Sequence, residues 1–301
     1  MNIESIPQAA IFNPRCSHSH NLEYQVAPGT TVAALKGALK EVLSNKPKEV
    51  ELLIAFGKAT WTQLHPNISP ADLQDFQTLS GKNNHSIPST QCDLYLWIQA
   101  HDLTVLAEAL TAIQAALEPI ATLSLEVAGF VNAECRDVTG FVDGTGNPKE
   151  DQRAAAAIIP NGEPGAGGSY LLAQKWNHKM KRFHGLSTHE QEQTIGRTKA
   201  TDIELEGEQM PPNSHVSRTD VKVDGKAMKI WRRSSPFASA KEQGLYFLGF
   251  SCEIERFDIQ LKRMLGLSED NISDRLIEFS VAVSSSYLFA PSIGDLATAI
   301  S

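Results

Sequence analysis

The sequence predicts an α+β protein built from tandem duplicated ferredoxin-like units whose antiparallel sheets pack together, and three observations predict it. Strand and helix patterns follow one another as β-α-β-β-α-β across the first half. The same order returns, more faintly, after a glycine-rich loop at Gly140 to Pro148. A length of 301 residues, 42% of them hydrophobic, suffices for one large domain or two of ordinary size. These readings divide the chain into an N-terminal unit over 1–139 and a C-terminal unit over 140–301, with the glycine loop at the junction.

His18 to Val26 alternates, placing His20, Leu22, Tyr24 and Val26 on one face of a strand. Gly29-Thr30-Thr31 then introduces a helix over Val32 to Leu43, where Val32, Leu35, Leu39 and Val42 recur at helical spacing behind a threonine cap. Val50 to Phe56 is a short apolar strand. From Gly57 to Gln91, proline, asparagine and serine predict a long excursion with one helical turn at Ala71 to Phe76. Cys92 to Ala100 alternates as a strand, Asp102 caps a helix running to about Leu117, and Leu123 to Phe130 is a further strand. Beyond the loop, strands are predicted at Ser169 to Trp176, Met228 to Arg233, Leu245 to Cys252 and Phe279 to Leu288. Helices are predicted around Thr188 to Ile195 and Ile254 to Leu265.

Composition excludes several functions. A net charge of -8 and a pI near 5.6 leave no basic face for a nucleic-acid backbone, and no basic cluster exceeds Trp231-Arg232-Arg233. Cys16, Cys92, Cys135 and Cys252 are scattered, with neither C-x-x-C nor C-x-x-C-H, so reduced buried thiols are expected. No apolar run approaches the ~18 residues of a membrane span. Met1 to Ala10 carries Glu4 and Pro7 where a secretory signal needs a basic start and an apolar run. A cytoplasmic protein that binds neither nucleic acid nor membrane is expected.

Three stretches carry chemistry. Gly140-Phe141-Val142-Asp143-Gly144-Thr145-Gly146-Asn147-Pro148 sets one carboxylate among glycines that permit positive φ and close backbone approach. Asp143 is therefore a candidate proton shuttle, although the loop alone is equally a polar turn. Asn213-Ser214-His215-Val216-Ser217-Arg218 follows Met210-Pro211-Pro212, so His215 sits just after a proline-stiffened turn that suits a metal ligand, although a lone histidine is more often a surface or hydrogen-bonded residue. Lys229 to Phe237 joins an apolar strand to Arg232, Arg233, Ser234 and Ser235.

In that order, G-x-x-D-G, N-S-H and R-x-S-x-P-F, followed by the apolar stretch Gly244 to Ser251 and by Tyr287-Leu288-Phe289-Ala290-Pro291, the set resembles the dye-decolorizing peroxidases. The resemblance spans essentially the whole chain and is closest to the bacterial branch that includes the porphyrinogen peroxidases. It implies a fold of dimeric α+β barrel type and one haem b per chain, bound by the C-terminal unit.

The resemblance also implies roles for matching residues. His215 would be the axial ligand of the haem iron, with the opposite position open to peroxide. Asp143 would shuttle the peroxide proton, Arg232 would stabilise developing charge and hold a haem propionate, and Ser234 would hydrogen-bond peroxide or a water. Gly144, Thr145 and Gly146 would lie along the haem edge. Counting back from Pro236 selects Arg232, and strand alternation turns Arg233 to the other face. An axial imidazole usually donates its second N–H to a carboxylate; Asp274 matches the family's acidic position, and Asp220 is the rival.

The activity implied is peroxidase chemistry: hydrogen peroxide is reduced, and dyes, phenolics or porphyrinogens are oxidised in one-electron steps. The alternative is a haem-handling protein that carries iron or porphyrin as cargo. The resemblance further implies a homo-oligomer, for which a dimer is the working number. With Ser301 ten residues beyond Pro291, docking into a protein shell through the C-terminal extension that some relatives use is not expected.

Overall fold

The computed structural model describes residues 5–301; Glu4, which entered the reading of the N-terminus, lies outside the described residues. The N-terminal unit runs β1 (His18–Val26), α1 (Val32–Asn45), β2 (Glu51–Phe56), α2 (Lys58–Leu64), β3 (Leu79–Ser80), β4 (Ser86–Ile87), β5 (Leu94–Ala100), α3 (Leu103–Leu117) and β6 (Ala121–Phe130). Two side-chain caps start the long helices where the sequence places them. Thr31 accepts from Ala34 N at 3.2 Å, and Asp102 accepts from Thr104 N at 2.7 Å. Both helices lay their apolar stripe, Leu35, Leu39, Leu106 and Ile113 among it, on the sheet face that carries Leu22, Ile54, Leu96 and Ile98.

The C-terminal unit runs α4 (Glu150–Ala157), β7 (Ser169–His178), α5 (Met180–His184), α6 (Thr188–Ile195), α7 (His215–Thr219), β8 (Lys222–Val223), β9 (Lys226–Ala227), β10 (Trp231–Arg232), β11 (Ser235–Ala238), β12 (Gln243–Ser251), α8 (Glu255–Met264), β13 (Ser280–Ala290) and α9 (Ile293–Ile300).

Strand order exposes the repeat that sequence identity conceals. The first half reads β2-β5-β1-β6; the second reads β12-β7-β13 with β10 and β11 both paired to β12. In each half the third strand therefore lies beside the first, which lies beside the fourth, and every neighbour is antiparallel. The halves join where Phe289 of β13 meets Phe56 of β2. On the far side β11 crosses beside β6, and a Cβ built on Gly129 would fall 2.4 Å from Ser235 Oγ, so only glycine permits that approach. Between the layers lies a shared core that includes Leu53, Tyr95 and Trp97 from one sheet and Leu171, Tyr246 and Leu248 from the other.

Some local expectations are corrected. Residues 57–91 contain α2 and the β3–β4 hairpin, and the helical turn expected around Ala71 to Phe76 is a turn confined to residues 71 and 72. There Gln91 Oε1 takes the Phe76 N–H at 2.9 Å, and Leu73 and Phe76 are buried, so tertiary anchoring replaces helical bonding. The strand expected at Met228 to Arg233 shrinks to Trp231–Arg232, because the Lys229 carbonyl is taken by Arg256 Nη1 at 2.8 Å. Five short helices, α2, α4, α5, α7 and α9, were not anticipated, although Ile293, Leu296 and Ile300 recur at helical spacing in α9. All four cysteines are free thiols, but Cys135 and Cys252 are half-buried rather than buried. Among the described residues no helix is long and apolar enough to cross a membrane.

Candidate active site

The proximal wall is assembled from two segments far apart in sequence. Ser214 caps α7 by accepting from Ser217 N at 3.3 Å, which makes His215 the first helical residue. Its Nδ1 stands 2.6 Å from Asp274 Oδ2, and the Asp274 side chain is wholly buried. The other oxygen, Oδ1, accepts from Leu276 N at 2.8 Å, and Arg275 N donates to Asn213 O at 2.8 Å, pinning the two segments together. With Nδ1 engaged, Nε2 is the nitrogen left for the cavity. The rival carboxylate, Asp220, pairs instead with Lys229 at 2.7 Å.

The opposite wall is the glycine loop. Gly140 (φ +87°) and Gly144 (φ +95°) adopt the left-handed conformation that the sequence called for. Asp143 N donates to Cys135 O at 2.8 Å, which fixes the residue. Its Oδ2 is buried without a hydrogen-bond partner, 3.5 Å from Arg15 Nη1. Arg15 also donates to Ser234 O at 3.0 Å and to Arg232 O at 3.4 Å.

Asn147 clamps Arg232. Its Oδ1 accepts from Arg232 N at 3.0 Å and from Nε at 3.4 Å, while its Nδ2 donates to Arg232 O at 2.9 Å. Gly146 leaves room for the guanidinium, since a Cβ there would lie 3.1 Å from Arg232 Nη2. Thr145 donates instead to Asp202, which Arg197 holds at 2.7 Å. Arg233 turns the other way, over the Trp97 ring at 5.4 Å, and donates to Asn13 O at 2.6 Å. Ser234 is fully buried, its hydroxyl has no hydrogen-bond partner, and it is not among the residues that line the cavity.

Asp143, Gly144, Thr145, Gly146, Arg232 and His215 thus line one cavity. It continues into an apolar recess walled by Leu172, Trp176, Leu245, Phe247, Phe257 and Leu261. Apolar walls with a few convergent polar groups are the character of a ligand site. Two titratable residues in the walls escaped the sequence reading. Burial pushes the Asp137 carboxyl up to about 6, assisted by the charge of Asp143 and opposed by hydrogen bonds from Thr139. Burial also pulls the His178 imidazole down to about 4.

Arg15 and Asn147 were missed as well. Asn147 was visible in the loop but had no partner there to reveal it, and Arg15, more than 120 residues upstream, gave no signal.

The residues fit haem. Among the described residues no group of three or more His, Cys, Asp and Glu could hold a bare metal ion. One imidazole backed by a buried carboxylate suits iron that arrives with its own ring of ligands. The apolar recess suits the ring, and the unpartnered Asp143 oxygen across the cavity awaits a polar guest.

Comparison with known proteins agrees. The model of the Dyp-type peroxidase N-terminal region matches residues 8–131, and that of the C-terminal region matches residues 134–295. The chain is 33% identical over 270 residues to a dye-decolorizing peroxidase of Mycobacterium tuberculosis, covering 88% of this chain and 80% of that protein. A dye-decolorizing peroxidase of Rhodococcus erythropolis is 33% identical over 243 residues, 79% of this chain and 71% of that protein. Among solved structures, DyPB from Rhodococcus jostii RHA1 superposes with a TM-score of 0.88 at 34% identity, covering 97% of this chain and 98% of that one. A variant of it in complex with heme gives a TM-score of 0.87 at the same identity and coverage.

Proposed function

We propose a division of labour for the site of this chain, which belongs to the Dyp-type peroxidase family and is a haem-dependent peroxidase. Bound haem supplies the redox chemistry, accepting the oxidising equivalents of hydrogen peroxide and passing them to aromatic donors one electron at a time. His215 would hold the iron through Nε2, and Asp274 would orient the ring and enrich its electron density. The backbone of Gly144, Thr145 and Gly146 would border the haem edge.

Across the cavity, Asp143 takes the proton from one peroxide oxygen and returns it to the other, which leaves as water. Arg232, held by Asn147, stabilises the negative charge that develops as the O–O bond lengthens. Arg15 keeps a positive charge behind Asp143 and braces the strand end that presents Arg232. Ser234, buried with a hydroxyl that has no hydrogen-bond partner, would hydrogen-bond peroxide or a water.

The observation that carries this reading is the pairing of a carboxylate-backed imidazole with a carboxylate oxygen that has no hydrogen-bond partner and an arginine held by Asn147, all on one cavity. The test is the visible spectrum of the protein reconstituted with haem. A Soret band is expected, with an altered ferric spectrum in His215→Ala; an unchanged spectrum in that variant overturns the ligand assignment. Within the same proposal fall porphyrinogens as one substrate class, a dimer as the assembly, a cytoplasmic location and a unit boundary between residues 139 and 140. Haem handling without peroxidase duty is not favoured, since it would leave Asp143 and Arg232 idle.

A further inference from the structure

β12 alternates across the wall of the haem cavity. Leu245 and Phe247 line the recess, so Tyr246 between them points the other way, into the core shared by the two sheets. There its hydroxyl donates to Glu23 Oε1 at 2.7 Å, and Ser284 Oγ donates to the same oxygen at 3.3 Å. Tyr246, Glu23 and Tyr95 are all essentially inaccessible to solvent. The rings of Tyr95 and Tyr246 lie parallel within 7°, with centroids 6.3 Å apart, and Tyr95 donates to Asn21 Oδ1 at 2.7 Å. The charged and titratable groups that face Glu23 are Lys175, Cys92, Tyr95 and Tyr246.

A carboxylate is a costly choice for this place. Glutamine would accept the same two hydrogen bonds without burying a charge. What glutamate adds is the capacity to take a proton. Burial raises the Glu23 carboxyl to about 7, against the lowering pull of Tyr246, Ser284 and Lys175, and burial pushes the Tyr246 phenol well above its ordinary value. The pair at rest is thus a neutral phenol hydrogen-bonded to an acceptor of raised proton affinity. An oxidised phenol is a strong acid, and it needs such an acceptor in contact.

We propose that Tyr246 and Glu23 form a buried proton-coupled redox pair, which stores an oxidising equivalent one strand away from the haem cavity. Its oxidant comes from the peroxidase activity. Hydrogen peroxide removes two electrons from the holoenzyme, and one of them is drawn from Tyr246. The phenolic O–H bond breaks, its proton binds Glu23 Oε1, and the products are a neutral tyrosyl radical and a protonated carboxyl. One electron from a reducing substrate, relayed back through the site, restores the phenol and returns the proton. With no solvent-exposed face, the pair is a reservoir that fills when donors are scarce.

The test mixes holoenzyme with one equivalent of hydrogen peroxide, without donor, and freezes it for electron paramagnetic resonance. A tyrosyl signal is expected that narrows with ring-deuterated tyrosine and disappears in Tyr246→Phe. In Glu23→Gln its yield falls about tenfold or more, one unit of proton affinity being worth a factor of ten. Infrared difference spectra of the wild type should gain a protonated-carboxyl band together with the radical, and the radical should form more slowly in D2O. These wild-type readouts hold whether or not the Glu23 variant folds. A full tyrosyl signal in Tyr246→Phe, or a radical without the carboxyl band, overturns the proposal. Failure of the wild type to react with peroxide at all would strike the peroxidase assignment instead.

Discussion

At the scale of single residues, the distal side depends on how few partners each reactive atom has. Asp143 Oδ2 has no hydrogen-bond partner, only the Arg15 charge at 3.5 Å, which leaves its lone pairs open to peroxide, while Arg232 is held by three hydrogen bonds with Asn147. Asp143→Ala is expected to retain haem and to slow the reaction with peroxide by about 10² to 10⁴, the usual worth of a positioned acid–base group. Stopped-flow mixing measures it, and an unchanged rate removes Asp143 from the mechanism. Arg15 contributes chiefly as a charge beside Asp143. Arg15→Gln should therefore slow the same step with haem content intact, and Arg15→Lys should recover much of the rate. If lysine rescues no better than glutamine, Arg15 acts through packing alone.

At the scale of elements, the proposed haem ligand depends on two helical turns pinned to each other. α7 presents His215, and the 3-10 turn at Arg275–Glu278 presents Asp274 as its own cap. Asp274→Asn keeps the cap geometry but loses the anionic acceptor, and should weaken haem retention about 10- to 100-fold in a Soret titration. In the layer between β1 and β12, Glu23 makes stability depend on pH. Its folded pKa of about 7 lies above the ordinary 4.5, so the folded state binds the proton more tightly. Its contribution is fully present below about pH 4.5 and is lost as pH rises through 7. Relative to wild type, Glu23→Gln should gain roughly 3 kcal/mol between pH 4.5 and 8, measured by denaturant midpoints at both values.

At the scale of the whole molecule, two copies of one strand order close on each other, and the closure brings the site together. Arg15 precedes β1 yet reaches β10, and Arg233 stacks on Trp97 of β5, so the site is braced by both units. The closure is tightest where β6 passes β11 at Gly129, with Ser19 and Ser235 on either side. Gly129→Val should cost about 1–3 kcal/mol through overpacking and lower haem content with it. An unaltered denaturation midpoint would show that the seam is loose.

The sequence by itself determined most of the strand order, the caps at Thr31 and Asp102 and the glycine loop, and it singled out His215, Asp143 and Arg232, which line one cavity. Those features are local: periodicity reports which face a segment buries, a cap needs only a neighbour within a turn, and a motif is contiguous. Only the tertiary structure set Asp274 rather than Asp220 against His215 and delivered Arg15 to Asp143. It also placed Glu23 against Tyr246, 223 residues away. Such partnerships arise where the closing of two sheets sets side chains within hydrogen-bond range, and no spacing along the chain encodes that closure.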